Sequence, residues 1–134
     1  MPTGSDLAYF DASALHKLVV CEPESEALRR AAQVWPRRVT SRLAVVELIR
    51  SVRRADPALE SAARHLLAKV TLLVDTNRVL VAATRLEPQT LRALDAIHLT
   101  TALRVRSALA AFVSYDARQL AAAEALGLPV ASPR

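Results

Sequence analysis

The segment Leu7-Ala8-Tyr9-Phe10-Asp11 is a short apolar run that ends in an acid and is followed by helix-forming residues. A second run, Ala110-Ala111-Phe112-Val113-Ser114-Tyr115, ends in the same way at Asp116. Such runs predict strands, so each acid lies where a strand ends and a helix begins. Open α/β sheets bind their ligands at these strand ends. The two acids therefore predict a functional site along one edge of a sheet.

Further apolar runs complete the predicted sheet, and helical patterns fill the intervals between them. The predicted strands lie near Leu7 to Phe10, Arg38 to Thr40, Val70 to Val74, Ala111 to Ser114 and Pro129 to Ala131. Strands that alternate with helices imply an α/β fold with a mainly parallel sheet covered on both faces. At 134 residues and 52% hydrophobic content, the chain is expected to form one domain over residues 1–134.

Turn and capping residues mark the ends of the predicted helices. Ser41 is expected to be the N-cap of the helix that follows it, and Asp56-Pro57 is expected to end that helix. A helix is predicted over about Asn77 to Leu86, and Glu87-Pro88 separates it from the next helix along the chain. Gly127 predicts a helix C-terminus just before the last strand.

Two more acids interrupt apolar helix faces, Glu47 in Leu43-Ala44-Val45-Val46-Glu47-Leu48-Ile49 and Asp95 in Leu94-Asp95-Ala96-Ile97-His98-Leu99. An unpaired carboxylate is costly to bury in such a setting. The four acids become tolerable together if they share a hard divalent cation, because Mg²⁺ and Mn²⁺ favour oxygen ligands. Without a cation, mutual repulsion would raise the pKa of at least one carboxyl group. A cation there would allow hydrolysis of a phosphodiester by an activated water.

Each acid also has a simpler interpretation that needs no shared site. Asp11 and Asp116 are well placed to cap the helices that follow them. Glu47 could pair with Arg50 or Arg54 further along the helix, as exposed helical ion pairs often do. Asp95 is the hardest to explain in this way, because its neighbours are apolar. One shared site explains all four acids at once.

The composition indicates an anionic partner. The formal net charge is +5, and only two of the basic residues, Lys17 and Lys69, are lysines. Arginine binds phosphates and carboxylates through a planar fork, so a polyanion or an acidic protein is expected to bind. An Arg-, Ala-, Val- and Leu-rich composition is equally typical of a GC-rich genome. Aromatic residues make up 4%, so nucleic acid would be held mainly through its phosphates.

Four segments together resemble the PIN-domain ribonucleases, and the VapC toxin group in particular. The segments are Tyr9-Phe10-Asp11-Ala12-Ser13-Ala14-Leu15, Val46-Glu47-Leu48-Ile49-Arg50, Leu91-Arg92-Ala93-Leu94-Asp95-Ala96-Ile97-His98-Leu99-Thr100-Thr101-Ala102-Leu103 and Phe112-Val113-Ser114-Tyr115-Asp116-Ala117-Arg118-Gln119-Leu120. The resemblance runs from about Ala8 to Pro133. It implies a three-layer α/β/α sandwich, Mg²⁺- or Mn²⁺-dependent endoribonuclease activity, a homodimer, and inhibition by a cognate antitoxin bound over the active site.

The resemblance also implies roles for particular residues. Asp11, Glu47, Asp95 and Asp116 would form the acidic catalytic and metal-binding set, with Asp11 and Asp95 foremost as direct ligands. Ser13 and Ser114 would orient carboxylates or metal-bound waters.

Three arginines, Arg50, Arg53 and Arg54, follow Glu47 along its predicted helix. They could guide RNA phosphates or bind antitoxin carboxylates. A solvated helix end that complements the helix dipole is an equal alternative.

A few other residues invite a functional interpretation. His98 lies one helical turn after Asp95, but oxygen ligands suit these cations better, so a core or supporting histidine is favoured. Trp35 is expected to be a packing residue. Asp75 is expected to be a surface charge. Cys21, the single cysteine, excludes an internal disulfide and a cysteine-based zinc cluster, and is expected to be a partly buried, passive thiol.

Two other functions are considered beside the toxin ribonuclease. A PIN-like module could bind RNA or protein without cutting, although the complete acidic set argues against this. A receiver-like phosphoacceptor domain needs a pair of adjacent acids after the first strand and a lysine near the last strand, and neither is present. No apolar stretch reaches the roughly 18 residues of a membrane span, and no basic leader is seen, so a cytoplasmic protein is expected.

Overall fold

The computed structural model describes residues 5–134. A sheet of five strands runs through it: Leu7–Phe10 (β1), Arg37–Ser41 (β2), Thr71–Leu73 (β3), Leu109–Val113 (β4) and Val130–Ala131 (β5). The strands lie in the order β3-β2-β1-β4-β5, and all neighbouring pairs are parallel. The predicted parallel sheet is therefore confirmed, with its strands at the predicted places and only their ends shifted.

Helices cover both faces of this sheet. Seven α-helices occur in the described residues: Ala12–Lys17 (α1), Ser25–Ala32 (α2), Ala44–Ala55 (α3), Glu60–Leu67 (α4), Asn77–Thr84 (α5), Ala93–Leu103 (α6) and Ala117–Ala125 (α7). Short 3₁₀ turns occur at Pro57–Leu59 and Arg106–Ala108. None of the helices within residues 5–134 is both long and apolar enough to cross a membrane.

The alternation of side chains along the strands produces two cores. In β1, Ala8 and Phe10 point to one face, where they pack with buried residues of α1, α2, α3 and α4. Leu7 and Tyr9 point to the other face, where they pack with α6 and α7. Because successive side chains of a strand point to opposite faces, one short apolar strand contributes to both cores. The result is the expected three-layer α/β/α sandwich.

The order of the strands determines where a ligand site can form. From β1 the chain moves outward through β2 to β3, and it then returns to the other side of β1 for β4 and β5. The connections therefore diverge between β1 and β4. In open α/β sheets this divergence leaves a crevice at the carboxyl ends of the two strands. Asp11 follows β1 and Asp116 follows β4 by three residues, so both acids lie at this crevice.

The helix boundaries mostly follow the predicted signals. Asp56 ends α3, and Pro57 opens the 3₁₀ turn after it. The helix expected from Asn77 to Leu86 ends earlier, at Thr84. Gly127 follows the C-terminus of α7 with a φ of 83°, a left-handed conformation that favours glycine.

Two expectations about single residues were wrong. Ser41 is the last residue of β2 rather than the N-cap of α3, which begins at Ala44; its hydroxyl accepts a hydrogen bond from the backbone N–H of Leu43 (3.1 Å) in the turn between them. Cys21 is exposed rather than partly buried, because it lies in the loop between α1 and α2. Trp35 is partly buried and packs edge-on against Phe10, as expected.

Helix α3 allows a test of the core that supports the site. Leu48 is fully buried, whereas Val46, two residues earlier, is 59% exposed. We expect Leu48→Ala to lower the free energy of unfolding by about 2–5 kcal/mol, because it removes buried methyl groups and leaves a cavity. The matched control Val46→Ala should change it by less than about 0.5 kcal/mol. Urea denaturation measures both, and equal losses would contradict the burial assigned to this helix.

Candidate active site

Asp11 is the most enclosed acid of the described chain. It is 4% exposed and is the N-cap of α1. Its Oδ1 accepts hydrogen bonds from the Ser13 hydroxyl (2.6 Å) and the Ala14 backbone N–H (3.0 Å), and its Oδ2 accepts one from the Ser114 hydroxyl (2.5 Å). Burial raises the pKa of Asp11, and these hydrogen bonds together with His98 offset that rise only in part.

The two serines join the ends of β1 and β4. The Ser13 hydroxyl accepts a hydrogen bond from the backbone N–H of Tyr115 (2.9 Å), and the Ser114 hydroxyl accepts one from the backbone N–H of Asp116 (3.1 Å). Each hydroxyl therefore accepts a hydrogen bond from the backbone and donates its own to the carboxylate of Asp11. These contacts are the ones that an orienting role requires, and the role itself stays a prediction.

Asp116 lies on the β4 side of the crevice, between the end of β4 and the start of α7. It is the N-cap of α7, where its Oδ1 accepts from the backbone N–H groups of Arg118 (2.9 Å) and Gln119 (3.2 Å). Its Oδ2 accepts no hydrogen bond from residues 5–134. Both strand-end acids thus do cap helices, as the simpler interpretation supposed. Capping uses only part of each carboxylate and leaves acceptor positions for another ligand.

Glu47 reaches the site from the first turn of α3. Its Oε1 accepts a hydrogen bond from Nε2 of His98 (2.6 Å), a residue of α6 that is 2% exposed. It makes no ion pair with Arg50 or Arg54 in the described structure, so that interpretation is wrong. Burial alone would lower the pKa of His98, but the hydrogen bond to Glu47 and the charges of Glu47, Asp11 and Asp95 raise it overall.

Asp95 is the acid of this set that its protein neighbours leave unpaired. It lies half-buried in the first turn of α6, and its carboxylate makes no hydrogen bond or ion pair with residues 5–134. Its pKa is raised, first by burial and next by the charge of Asp116, with smaller contributions from Asp11 and Glu47. The charge of His98 opposes this rise without cancelling it. The other three predicted acids are therefore close enough to Asp95 for their charges to raise its pKa.

The acids are near one another but not yet arranged as a ligand shell. In residues 5–134, no three acidic, histidine or cysteine side chains are close enough together to hold one ion as they stand. Three of the acids are instead directed to protein donors, Asp11 through both carboxylate oxygens and Asp116 and Glu47 through one oxygen each. Their chemistry still suits a hard cation, since the four acids offer carboxylate oxygens and no arginine or lysine of the described chain pairs with them.

A cavity of about 780 Å³ lies beside the site, and Glu47 is the member of the acidic set that lines it. Glu47 and Ser13 line it on the acidic side, and Arg50 and Arg54 line it further along α3. Arg53 does not: its guanidinium forms an ion pair with Glu60 of α4 and points away from the cavity. The three arginines predicted as one contact group are therefore divided, with two beside the site and one engaged elsewhere.

Two residues near the site were not predicted. Asp75, which follows β3, is expected from the sequence to be a surface charge, but it is partly buried. It accepts hydrogen bonds from the hydroxyls of Ser41 (3.1 Å to each oxygen) and Thr101 (3.4 Å). Tyr9 is fully buried, and its hydroxyl bonds to Nδ1 of His98 (2.5 Å). The sequence does hold a signal for Tyr9, because a tyrosine in a buried strand needs a partner for its hydroxyl.

Comparison with known proteins gives one consistent family. The model of the PIN domain family matches residues 8–126. The chain is 44% identical over 125 residues to Ribonuclease VapC46 of Mycobacterium tuberculosis, which covers 93% of this chain and 96% of that protein. It is 42% identical over 132 residues to Ribonuclease VapC47 of the same species, covering 95% of this chain and 97% of that protein.

Solved structures share the fold at lower identity. A toxin–antitoxin complex from Klebsiella pneumoniae has a TM-score of 0.73 at 22% identity, covering 95% of this chain and 98% of that one. The Mycobacterium tuberculosis VapC20, described as a sarcin-ricin loop cleaving toxin, has a TM-score of 0.75 at 16% identity, covering 94% and 99%. The family match, the sequence identities and the common fold agree, and the chain belongs to the PIN domain family and, within it, to the VapC ribonucleases.

Proposed function

We propose that this chain is a divalent-metal-dependent endoribonuclease that acts as the toxin of a toxin–antitoxin pair, and that Asp11, Glu47, Asp95 and Asp116 bind Mg²⁺ or Mn²⁺. The observation that carries the metal site is Asp95, a half-buried carboxylate unpaired within the described chain, whose pKa is raised by burial and by three other acids. An ion in a like-charged setting of this kind removes the repulsion that the protein itself leaves uncompensated. Ribonucleases of this family are generally dependent on divalent metals.

The four acids differ in how many of their carboxylate oxygens are already hydrogen-bonded to the protein. Asp11 is fixed by three hydrogen bonds, whereas Asp95 and Asp116 have carboxylate oxygens that accept nothing from residues 5–134. When bound, Mg²⁺ favours deprotonation of an attacking water and neutralises charge on the phosphodiester. Ser13 and Ser114 keep Asp11 in one rotamer, so that it presents the same face to a ligand.

The proposed partners follow from the cavity beside the acids and from the relatives. RNA phosphates would lie against Arg50 and Arg54, and an antitoxin would cover the same cavity. Relatives named as ribonucleases and a neighbour described as a toxin–antitoxin complex support both partners. Exposed apolar side chains on α5, Leu80 and Val81, support a homodimer, since a second copy would cover them.

We also propose that residues 1–134 form one domain and that the protein acts in the cytoplasm.

The alternative functions are less well supported. A receiver-like domain has the strand order 2-1-3-4-5, whereas this sheet has the order 3-2-1-4-5, so that alternative was wrong. A module that binds without cutting would have no need for an unpaired Asp95 among other acids.

Removal of single carboxylates tests the activity. We expect Asp11→Asn and Asp95→Asn each to lower Mg²⁺-dependent cleavage of RNA by about 100-fold or more, the order found when one preorganised electrostatic group is lost. Asp56→Asn is the matched control, because Asp56 is exposed and asparagine caps the same turn equally well. Cleavage measured on labelled RNA that survives in both site variants, or in excess chelator, would contradict the proposal.

The raised pKa of Asp95 predicts a stability change with a definite sign. The folded protein holds the Asp95 proton more tightly than the unfolded chain, in which this carboxyl has its ordinary pKa of 3.8. Ionised Asp95 therefore lowers the stability of the folded protein as the pH rises above that value. Asp95→Asn should therefore raise the melting temperature of metal-free protein at pH 7 by about 3 °C, from at most about 1 kcal/mol after solvent screening.

Asp95 also lies in the first turn of α6, where the helix dipole favours its charged form and opposes this cost. The gain should shrink as the pH falls through the raised pKa of Asp95 toward 3.8, because Asp95 is then neutral in the folded protein. Calorimetric melting of wild type, Asp95→Asn and Asp56→Asn between about pH 4 and pH 7 measures this. A gain that grows with falling pH would refute the assignment.

The division of the arginines on α3 predicts unequal effects on RNA binding. Arg54→Gln and Arg50→Gln should each weaken binding of single-stranded RNA and reduce the slope of log affinity against log salt by about 0.7, the value for one lost phosphate contact. Arg53→Gln, on the same helix but paired with Glu60, should leave the slope unchanged. Fluorescence anisotropy over a range of salt concentrations, in a nuclease-inactive Asp95→Asn background, gives these slopes. Equal slopes for all three variants would count against the cavity as the RNA path.

A further inference from the structure

A buried chain of hydrogen bonds leads away from the acids into the fold. Glu47 Oε1 contacts His98 Nε2 at 2.6 Å, His98 Nδ1 contacts the Tyr9 hydroxyl at 2.5 Å, and that hydroxyl accepts from the backbone N–H of Ser41 at 3.1 Å. Tyr9 and His98 are almost completely buried. The chain ends on a backbone group of β2, which side-chain motion cannot displace.

The proton positions in this chain follow from the donor and acceptor capacities. The Glu47 carboxylate can only accept, so Nε2 of His98 carries a proton. When the imidazole is neutral, the Tyr9 oxygen accepts from Ser41 and donates its own proton to Nδ1. When the imidazole is charged, Nδ1 donates to the Tyr9 oxygen instead. Nε2 donates to Glu47 in both forms, so the contact that orients Glu47 is the same in each. The other oxygen of Glu47, Oε2, is left available to a ligand.

The contact between Glu47 and His98 also bridges the two helical layers. Helix α3 belongs to the core on one face of the sheet, whereas α6 belongs to the core on the other face. Tyr9 holds His98 from β1, stacked on Phe112 of β4 at 5.3 Å and edge-on to His98 at 5.7 Å. The orientation of Glu47 is thus determined by contacts with α6 and, through Tyr9, with the sheet, and not by its own helix alone.

We propose that His98 is a positioning residue that fixes Glu47 for cation binding, and that Tyr9 orients His98 for this task. The inference rests on the proposed metal site. A glutamate side chain has three rotatable torsions, and one short bond to a buried imidazole removes most of their freedom. Groups that orient a ligand in this way typically change metal affinity by about 10- to 100-fold when they are removed.

The test measures Mn²⁺ binding by calorimetry in metal-free protein, with urea denaturation of the same samples. His98→Leu removes the donor and should weaken Mn²⁺ binding about 10-fold or more. His98→Gln keeps an N–H donor within reach of Glu47 and should restore most of the affinity. Tyr9→Phe removes only the hydroxyl and should give an intermediate loss. Leu99→Val, a neighbouring core change on α6, should bind Mn²⁺ as wild type does.

A second measurement needs no metal. The buried Nε2 proton of His98 should give a resolved signal in ¹H–¹⁵N spectra of the metal-free protein, and Glu47→Ala should shift or abolish it. Asp116→Asn should leave the signal in place. If His98→Leu does not fold, Tyr9→Phe decides between the outcomes.

The outcomes separate this inference from the proposed function. Wild type that binds no Mn²⁺ overturns both. Binding that is lost in Asp95→Asn but kept in His98→Leu and Tyr9→Phe overturns the positioning role alone. Equal weakening in His98→Leu, His98→Gln and Leu99→Val overturns it too, since general loosening of the core would then explain the effect.

Discussion

The side-by-side ending of β1 and β4 is the constraint on which the site depends. Phe10 pairs with Val113, and the backbone N–H of Asp11 donates to the Val113 carbonyl (3.1 Å), so Asp11 and Ser114 emerge at the same height. A slip of one residue would turn every side chain of β1 to the other face. Phe10 and Tyr9 would then exchange cores, and Asp11 would lose Ser114. The packing of two different cores on one strand therefore specifies the geometry of the acids.

The two acids at the strand ends, Asp11 and Asp116, are held in place by neutral donors. Asp11 is bound by two hydroxyls and a backbone N–H, Asp116 by two backbone N–H groups, and neither forms an ion pair within the described residues. A bound guanidinium would stabilise these carboxylates more, but it would also cancel the charge that attracts a cation. Neutral hydrogen bonds restrict the rotamers and leave the negative charge in place. The carboxylates therefore repel one another, and this repulsion contributes to the raised pKa of Asp95.

The sequence predicted those features that arise locally. Strand runs, their terminal acids and the breaks at Pro57 and Pro88 are encoded within a few residues, and they lie at or near their expected places. The contacts of His98 were not predictable, because its partners Glu47 and Tyr9 are 51 and 89 residues away along the chain. The burial of Asp75 was not predictable for the same reason, since its hydrogen bonds to Ser41 and Thr101 depend on how β2, β3 and α6 pack.

The grouping of the three arginines on α3 conflicts with helical periodicity itself. Arg50 and Arg54 follow Glu47 by three and seven residues, so they lie within about 60° of it around the helix axis. Arg53 follows by six residues and lies about 120° away, toward α4, where it meets Glu60. One helix therefore presents an acid and two bases along the same cavity wall, while its third base supports the fold. The charge that a substrate meets at this site is determined by the phase of the helix, and not by the number of arginines in the segment.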